Sequence, residues 1–278
     1  MKRTNLLRGN NARAYLNYLK AIGIPFTMTC SNYTVLFKTD FMEKKFVYSM
    51  QSNRAFTCFA KLKKDIKNKP VPDIDQNTLS YFVHDFKQDA QIGDIINIDL
   101  KSAYATILHM DGYISADTYS YICAGSKQER LVSVGMLASK KQEYKFDSGH
   151  IIGDPLEIIS PYSNFFFYAV KRTGEIMDEL KKLCGESYLF TWVDGIYLKP
   201  DIQAMQACEE YIESIGMKYT SEWLRDFSVK INSKFITVNF LKKSGPEWKP
   251  KPFNLPIVNT EFKRLMIDAI LSRLRKAA

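Results

Sequence analysis

The stretch 94–110, DIINIDLKSAYATILHM, constrains the fold of this chain more than any other. It opens on Ile95, Ile96 and Ile98, an apolar run too short for a helix and rich in β-branched side chains, which predicts a strand. Leu100, Ala103, Tyr104, Ile107 and Leu108 then recur at helical spacing. Asp99 falls at the junction. There the strand fixes the backbone, the turn frees amides to meet an anion, and the helix N-terminus adds a favourable dipole. Asp99 therefore has two readings: a carboxylate placed for metal chemistry, or simply the cap of the helix behind it.

The stretch 188–200, YLFTWVDGIYLKP, holds its counterpart. It predicts two strands, 188–193 and 196–198, joined at Asp194-Gly195, a strong hairpin signal that often marks nothing more than a turn. On adjacent strands, however, Asp99 and Asp194 would be able to hold two divalent cations roughly 3.5–4 Å apart, the arrangement used for in-line phosphoryl transfer.

These segments carry a family resemblance. DLKSAY resembles the first palm motif of family B DNA polymerases, DxxSLYPS, through Asp99, Ser102 and Tyr104, with Ala103 in place of the Leu and Ala105 in place of the Pro. FTWVDGIY is similar to the third motif, YxDTDS, with Phe190 at the Tyr, Val193 at the Thr and Asp194 at the second Asp. Trp192 replaces the first Asp and Gly195 the Ser. The segment FYAVKRTGEIMDELKKLCG has the helical pattern and basic residues expected between the second and third motifs, so the resemblance spans residues 94–198.

The resemblance implies an α+β fold: a polymerase-type palm, with an antiparallel sheet backed by helices and reduced fingers and thumb. It implies a DNA polymerase-like nucleotidyltransferase that adds dNTPs to a 3′-hydroxyl, with Asp99 and Asp194 catalytic and two Mg²⁺ (or Mn²⁺) ions on Asp99, Leu100 and Asp194. The backbone of 100–103 would receive phosphates, so Ser102, Ala103 and Tyr104 become nucleotide-binding, and the Tyr104 ring would exclude a 2′-hydroxyl. The family's second motif, KxxxNSxYG, has no clean copy. SKQERLVSVGMLASKK offers Lys127 and Arg130 as triphosphate-binding cations, with Lys140, Lys141 and Arg172 as alternates and a solvated surface as the other reading. The LVSVGML portion also alternates like a strand. Lys230 and Lys234 occupy the place of the basic hairpin that grips DNA in the family.

Along the rest of the chain, residues 1–90 read as an α+β lead-in, with helices at 11–22 and 53–67, strands at 26–37 and 45–50, and a loop at 68–76. The palm would run over 91–243, with a fingers insert near 111–160 containing a hairpin turned at Asp147-Ser148-Gly149. A helix is expected within 161–185 and another at 203–215, followed by strands at 218–220, 227–231 and 235–241. A basic connector over 241–256 and a basic helix over 260–276 complete the reading, as a vestigial thumb or a partner-docking element. The lead-in has no acidic DxE motif, so no proofreading is expected.

Lys and Arg total 39 against 30 for Asp and Glu, a net charge of +9 that favours a polyanionic partner such as primer–template or single-stranded DNA. A protein partner supplying processivity or priming is a further expectation for so small an enzyme. No apolar run approaches the roughly 18 residues needed to span a membrane, and no signal-peptide core opens the sequence. The five scattered cysteines and three histidines show no zinc-ligand spacing. A cytoplasmic protein of a bacterium or a phage-infected cell fits this reading by analogy. Three other functions remain open: a template-independent or repeat-adding terminal transferase, a reverse transcriptase-type palm, and a non-catalytic basic nucleic-acid-binding protein whose aspartates are structural.

Overall fold

A computed structural model of the chain describes residues 6–8, 10–31, 33–47, 52–75, 79, 82–84, 86–232 and 235–256. The chain opens with β1 (Leu6–Arg8), α1 (Asn10–Ile22), β2 (Phe26–Cys30), β3 (Thr34–Lys38) and β4 (Glu43–Val47). Gly23, with φ at +73°, ends α1 in the left-handed conformation that favours glycine. Helix α1 turns Ala12 and Leu19 onto Phe26, Val35, Phe37 and Phe46 to form a local core. Helix α2 (Asn53–Ile66) starts on Ser52, whose hydroxyl accepts the Ala55 amide, and buries Ala55, Cys58, Leu62 and Ile66 at i, i+3/i+4 spacing.

Next come β5 (Phe82–His84), β6 (Ala90–Leu100), α3 (Ala103–Met110), α4 (Ala116–Cys123), α5 (Lys127–Gly135), β7 (Lys140–Asp147) and β8 (His150–Ile159). The ambiguous LVSVGML segment is helical, because Ser126 and Glu129 form a reciprocal capping box that starts α5 and overrides its strand-like alternation. Three contacts lock α2 to this region. Ser52 donates to Glu129 (2.7 Å), Arg54 donates to the Tyr121 carbonyl (2.7 Å), and Ser115 donates to Asp65 through both amide and hydroxyl. The expected hairpin at Asp147-Ser148-Gly149 forms, but β7 pairs with β2 (Phe26 opposite Phe146), so β7 and β8 complete the sheet that begins at the N-terminus, in the order β1-β4-β3-β2-β7-β8.

The remainder is α6 (Ser163–Cys184), β9 (Tyr188–Trp192), β10 (Gly195–Leu198), α7 (Ile202–Ser214), β11 (Tyr219–Ile231), β12 (Phe235–Ser244), β13 (Glu247–Pro250) and β14 (Phe253–Pro256). The second sheet has the order β13-β12-β11-β6-β10-β9-β5, with β14 also on β12. The two strands expected at 218–220 and 227–231 are one strand, β11, because register shifts near Asp226 let it bend without breaking. Residues 241–256 are not a connector: β12 runs on to Ser244, and β13 and β14 fold back along it.

Ile96, Ile98 and Leu100 point to one face of β6 and join Ile196, Leu198 and the buried side of α3, α6 and α7 in the main core. The aromatic run Phe165–Phe167 enters α6 and is buried there. The class is α+β, with seven α-helices and two mainly antiparallel sheets among the described residues. No described helix is long and apolar enough to cross a membrane. The C-terminal helix read at 260–276, and Lys234, lie outside the described residues.

Candidate functional site

Strand β6 is central, antiparallel to β10 on one side and β11 on the other. Its alternation sends Asn97 and Asp99 to the face opposite the helices. Cross-strand register then collects the neighbours: Gly195 and Thr220 lie opposite Asp99, and Tyr197 and Glu222 opposite Asn97. Lys242 on β12 pairs with the Glu222 carboxylate. Asn97, Asp99, Tyr197, Thr220, Glu222 and Lys242, with Lys127 from the start of α5 and Lys251 from between β13 and β14, line a cavity of about 270 Å³.

Asp194 meets this cluster from the hairpin tip. Trp192 pairs with Gly195, so the two turn residues are Val193 and Asp194, one position earlier than the Asp194-Gly195 turn expected from the sequence. Val193 carries the positive φ, +58°, a costly conformation for a β-branched residue. Ser102, just after Asp99, is likewise left-handed at φ +53°. Both aspartates are thus followed or preceded closely by a non-glycine residue in strained backbone, a condition that collects at functional sites.

Gly195 has a different job from the one its sequence suggests. A Cβ there would lie 3.3 Å from Asp99 Oδ1 and 3.4 Å from Asn97 Nδ2. The glycine makes room for the first carboxylate rather than for the turn. The Asp194 carbonyl accepts the Leu100 amide (2.9 Å), and Asn97 Nδ2 donates to the Ile196 carbonyl (3.2 Å), so backbone bonds fix the two acidic segments to each other.

Electrostatics record their proximity. Burial, then the charge of Asp99, pushes the Asp194 carboxyl up to about 7, while Lys127 opposes the rise. Burial also raises Asp99, against the pull of Lys127, Lys242 and Lys251. Burial lowers Lys251, with help from the neighbouring Lys242 and Lys127. Two carboxylates drawn from water beside each other want a cation.

No protein-family model matches this chain, and no curated protein is significantly similar to it.

Among the described residues, no group of three or more His, Cys, Asp or Glu side chains stands ready to hold a metal. The donor set here is two carboxylates with backbone and amide oxygens nearby. That set suits Mg²⁺, which takes one or two carboxylates and fills its remaining positions with water and substrate phosphates. The donor chemistry therefore fits a hard divalent cation, which Asp99 and Asp194 would hold.

The other expected residues divide. Lys127 reaches the cavity and acts on both aspartates. Arg130 turns away and donates to the Gly125 carbonyl at 2.6 Å, closing the preceding loop. The Leu100 side chain is buried, and its amide and that of Lys101 bond to the Asp194 and Lys218 carbonyls. Those two amides are therefore committed to the sheet instead of to a phosphate. Ser102 is the N-cap of α3 without a side-chain cap bond, so Asp99 is not the cap. Ala103 is buried, and Tyr104 packs edge-to-face on Phe166, ring centres 5.4 Å apart.

Lys230 is exposed on β11, ten residues beyond the Thr220 that faces Asp99, or about 30 Å away at strand rise. Asn97, Glu222, Lys242 and Lys251 were missed in the sequence. Asn97 was readable, since it shares the period of two with Asp99. Glu222, Lys242 and Lys251 reach the site only through strand pairing.

Proposed function

We propose that this chain is a minimal nucleotidyltransferase with a family B-like palm, extending a DNA 3′-hydroxyl with dNTPs without proofreading. The observation that carries this reading is the meeting of Asp99, at the end of a central strand and lining a polar cavity, with Asp194, in the turn that leads into the neighbouring strand of the same helix-backed antiparallel sheet. Two Mg²⁺ ions on Asp99 and Asp194 would supply a Lewis acid for the 3′-hydroxyl and another for the leaving pyrophosphate.

The chain's own residues do the rest. Asn97 donates to the Ile196 carbonyl and so holds β10, and with it Asp194, in register with Asp99. Lys127, on a helix clamped to α2 through Glu129, presents a cation opposite the carboxylates, where triphosphate charge must be balanced. Lys242, tied to Glu222, and Lys251 line the β11–β12 side of the cavity and add positive charge for a phosphate-bearing strand. Tyr104, packed on Phe166 near the start of α3, would be the ring that excludes a 2′-hydroxyl, a role the family resemblance implies.

The test is extension of a labelled primer, with and without template, by each dNTP in Mg²⁺. Asp99→Asn should abolish addition while DNA binding persists. A variant keeping more than about a tenth of the rate, a barrier change under roughly 1.4 kcal/mol, overturns the reading. Extension of primer alone would move the assignment to a terminal transferase.

A further inference from the structure

Cys184, the last residue of α6, and Cys208, in the middle of α7, place their sulfurs 3.5 Å apart. Both are free thiols and both are buried, at 3% and 0% exposure. The interval between them contains β9, the Val193-Asp194 turn and β10, which is the whole hairpin that carries Asp194. The base of that hairpin is already clamped without covalent help. Lys199 donates its amide to the Ser187 carbonyl (2.8 Å), and the Ser187 hydroxyl donates to Asp201 (2.6 Å). These bonds hold the end of α6 against the start of α7, and the Cys208 thiol donates to the Leu180 carbonyl (3.8 Å) within the packed helix pair.

We propose that Cys184 and Cys208 are a redox modification site, which a small peroxide converts into a disulfide closing a covalent loop around the Asp194 hairpin. This inference does not depend on the proposed activity. A disulfide needs a sulfur separation near 2.05 Å, so the sulfurs must approach by about 1.5 Å, within reach of side-chain rotation and a small helix shift. Each sulfur lies within reach of the other, so either can take the first oxygen and the other resolve it.

The chemistry balances. One sulfur of the pair attacks a peroxide oxygen, the O–O bond breaks, and hydroxide leaves to become water with that thiol's proton. The other sulfur then attacks the resulting sulfenic acid, the S–S bond forms, the S–O bond breaks, and the departing hydroxide takes the second thiol's proton as a second water. Two electrons leave the thiols and reduce the peroxide. Because both sulfurs are buried, reaction waits for the last turn of α6 to open, and it should lag behind oxidation of the partly exposed Cys30 and Cys123.

The experiment treats the reduced wild-type chain with hydrogen peroxide, alkylates remaining thiols after denaturation, and maps the digest by mass spectrometry. The expected product is a peptide pair joined through Cys184 and Cys208 and lighter by two hydrogens, with a Tm raised by several degrees and restored by dithiothreitol. Cys184→Ala and Cys208→Ala should each lose both signals. Full alkylation of both residues after Cys30 and Cys123 have oxidised overturns the proposal, and so does either of the pair ending as sulfinic acid unbridged. The wild-type readouts decide the matter even where a variant fails to fold.

Discussion

Replacing Asp194 by Asn should stabilise the metal-free protein, by an amount that grows with pH. Burial and Asp99 lift the Asp194 carboxyl from 3.8 to about 7. A folded-state pKa above the unfolded one gives stability that is fully present below about pH 4 and is lost as pH rises through about 7. Above that, folding must bury a carboxylate beside Asp99. A shift of about 3 units at 1.36 kcal/mol each sets a ceiling of roughly 4 kcal/mol. Lys127 and residual solvent contact offset part of it, so about 2 kcal/mol is the working figure, or roughly 4–8 °C in Tm for a chain of this size. The assay is thermal denaturation of wild type and Asp194→Asn in EDTA from pH 4.5 to 8.5. The gap should widen from about pH 4, level off above about 7, and favour the variant. Added Mg²⁺ should then raise the wild-type Tm at pH 8 and leave the variant unmoved. A gap independent of pH, or one favouring wild type without metal, refutes the reasoning.

Other substitutions separate site from scaffold. Gly195→Ala should cut primer extension by more than about tenfold while costing only about 1 kcal/mol in stability, because its Cβ would press on Asp99 Oδ1 and Asn97 Nδ2; rate and melting curves read the two effects apart. Lys127→Ala should raise the KM for dNTPs roughly tenfold, the loss of about 1.4 kcal/mol of phosphate attraction. It should also move the rising limb of the pH–rate profile upward, since Lys127 now holds both carboxyls down. Tyr104→Val should increase ribonucleotide over deoxyribonucleotide incorporation, measured by competition; lost stability with an unchanged sugar preference would make Tyr104 a core residue packed on Phe166.

Much of the candidate site was legible in the sequence because its carriers are local. Asp99 follows an apolar β-branched run, and Asp194 sits in a hairpin whose strands announce themselves. The Asp-Gly pair pointed to the right hairpin for an incomplete reason: the turn falls on Val193-Asp194, and the glycine answers a close approach from another strand. Nothing local reveals that approach. Glu222, Lys242 and Lys251 were invisible for the same reason, since they reach Asp99 through β6–β11–β12 pairing. Arg130 looked like a phosphate ligand because one helical turn separates it from Lys127, but the Gly125 carbonyl captures it. The 218–231 region read as two strands because the shift near Asp226 interrupts the alternation, although the chain itself continues.

The pairing of β2 with β7 also sets a schedule for the chain as it is made. Phe26 waits for Phe146, 120 residues later in the sequence, before its strand gains that neighbour. At translation rates of roughly 5–20 residues per second, this is an interval of about 6–24 s. Through that time one side of β2 offers unpaired N–H and C=O groups to any passing strand. High contact order of this kind slows folding, and a nascent chain stalled between residues 47 and 140 would carry the open edge until released or degraded.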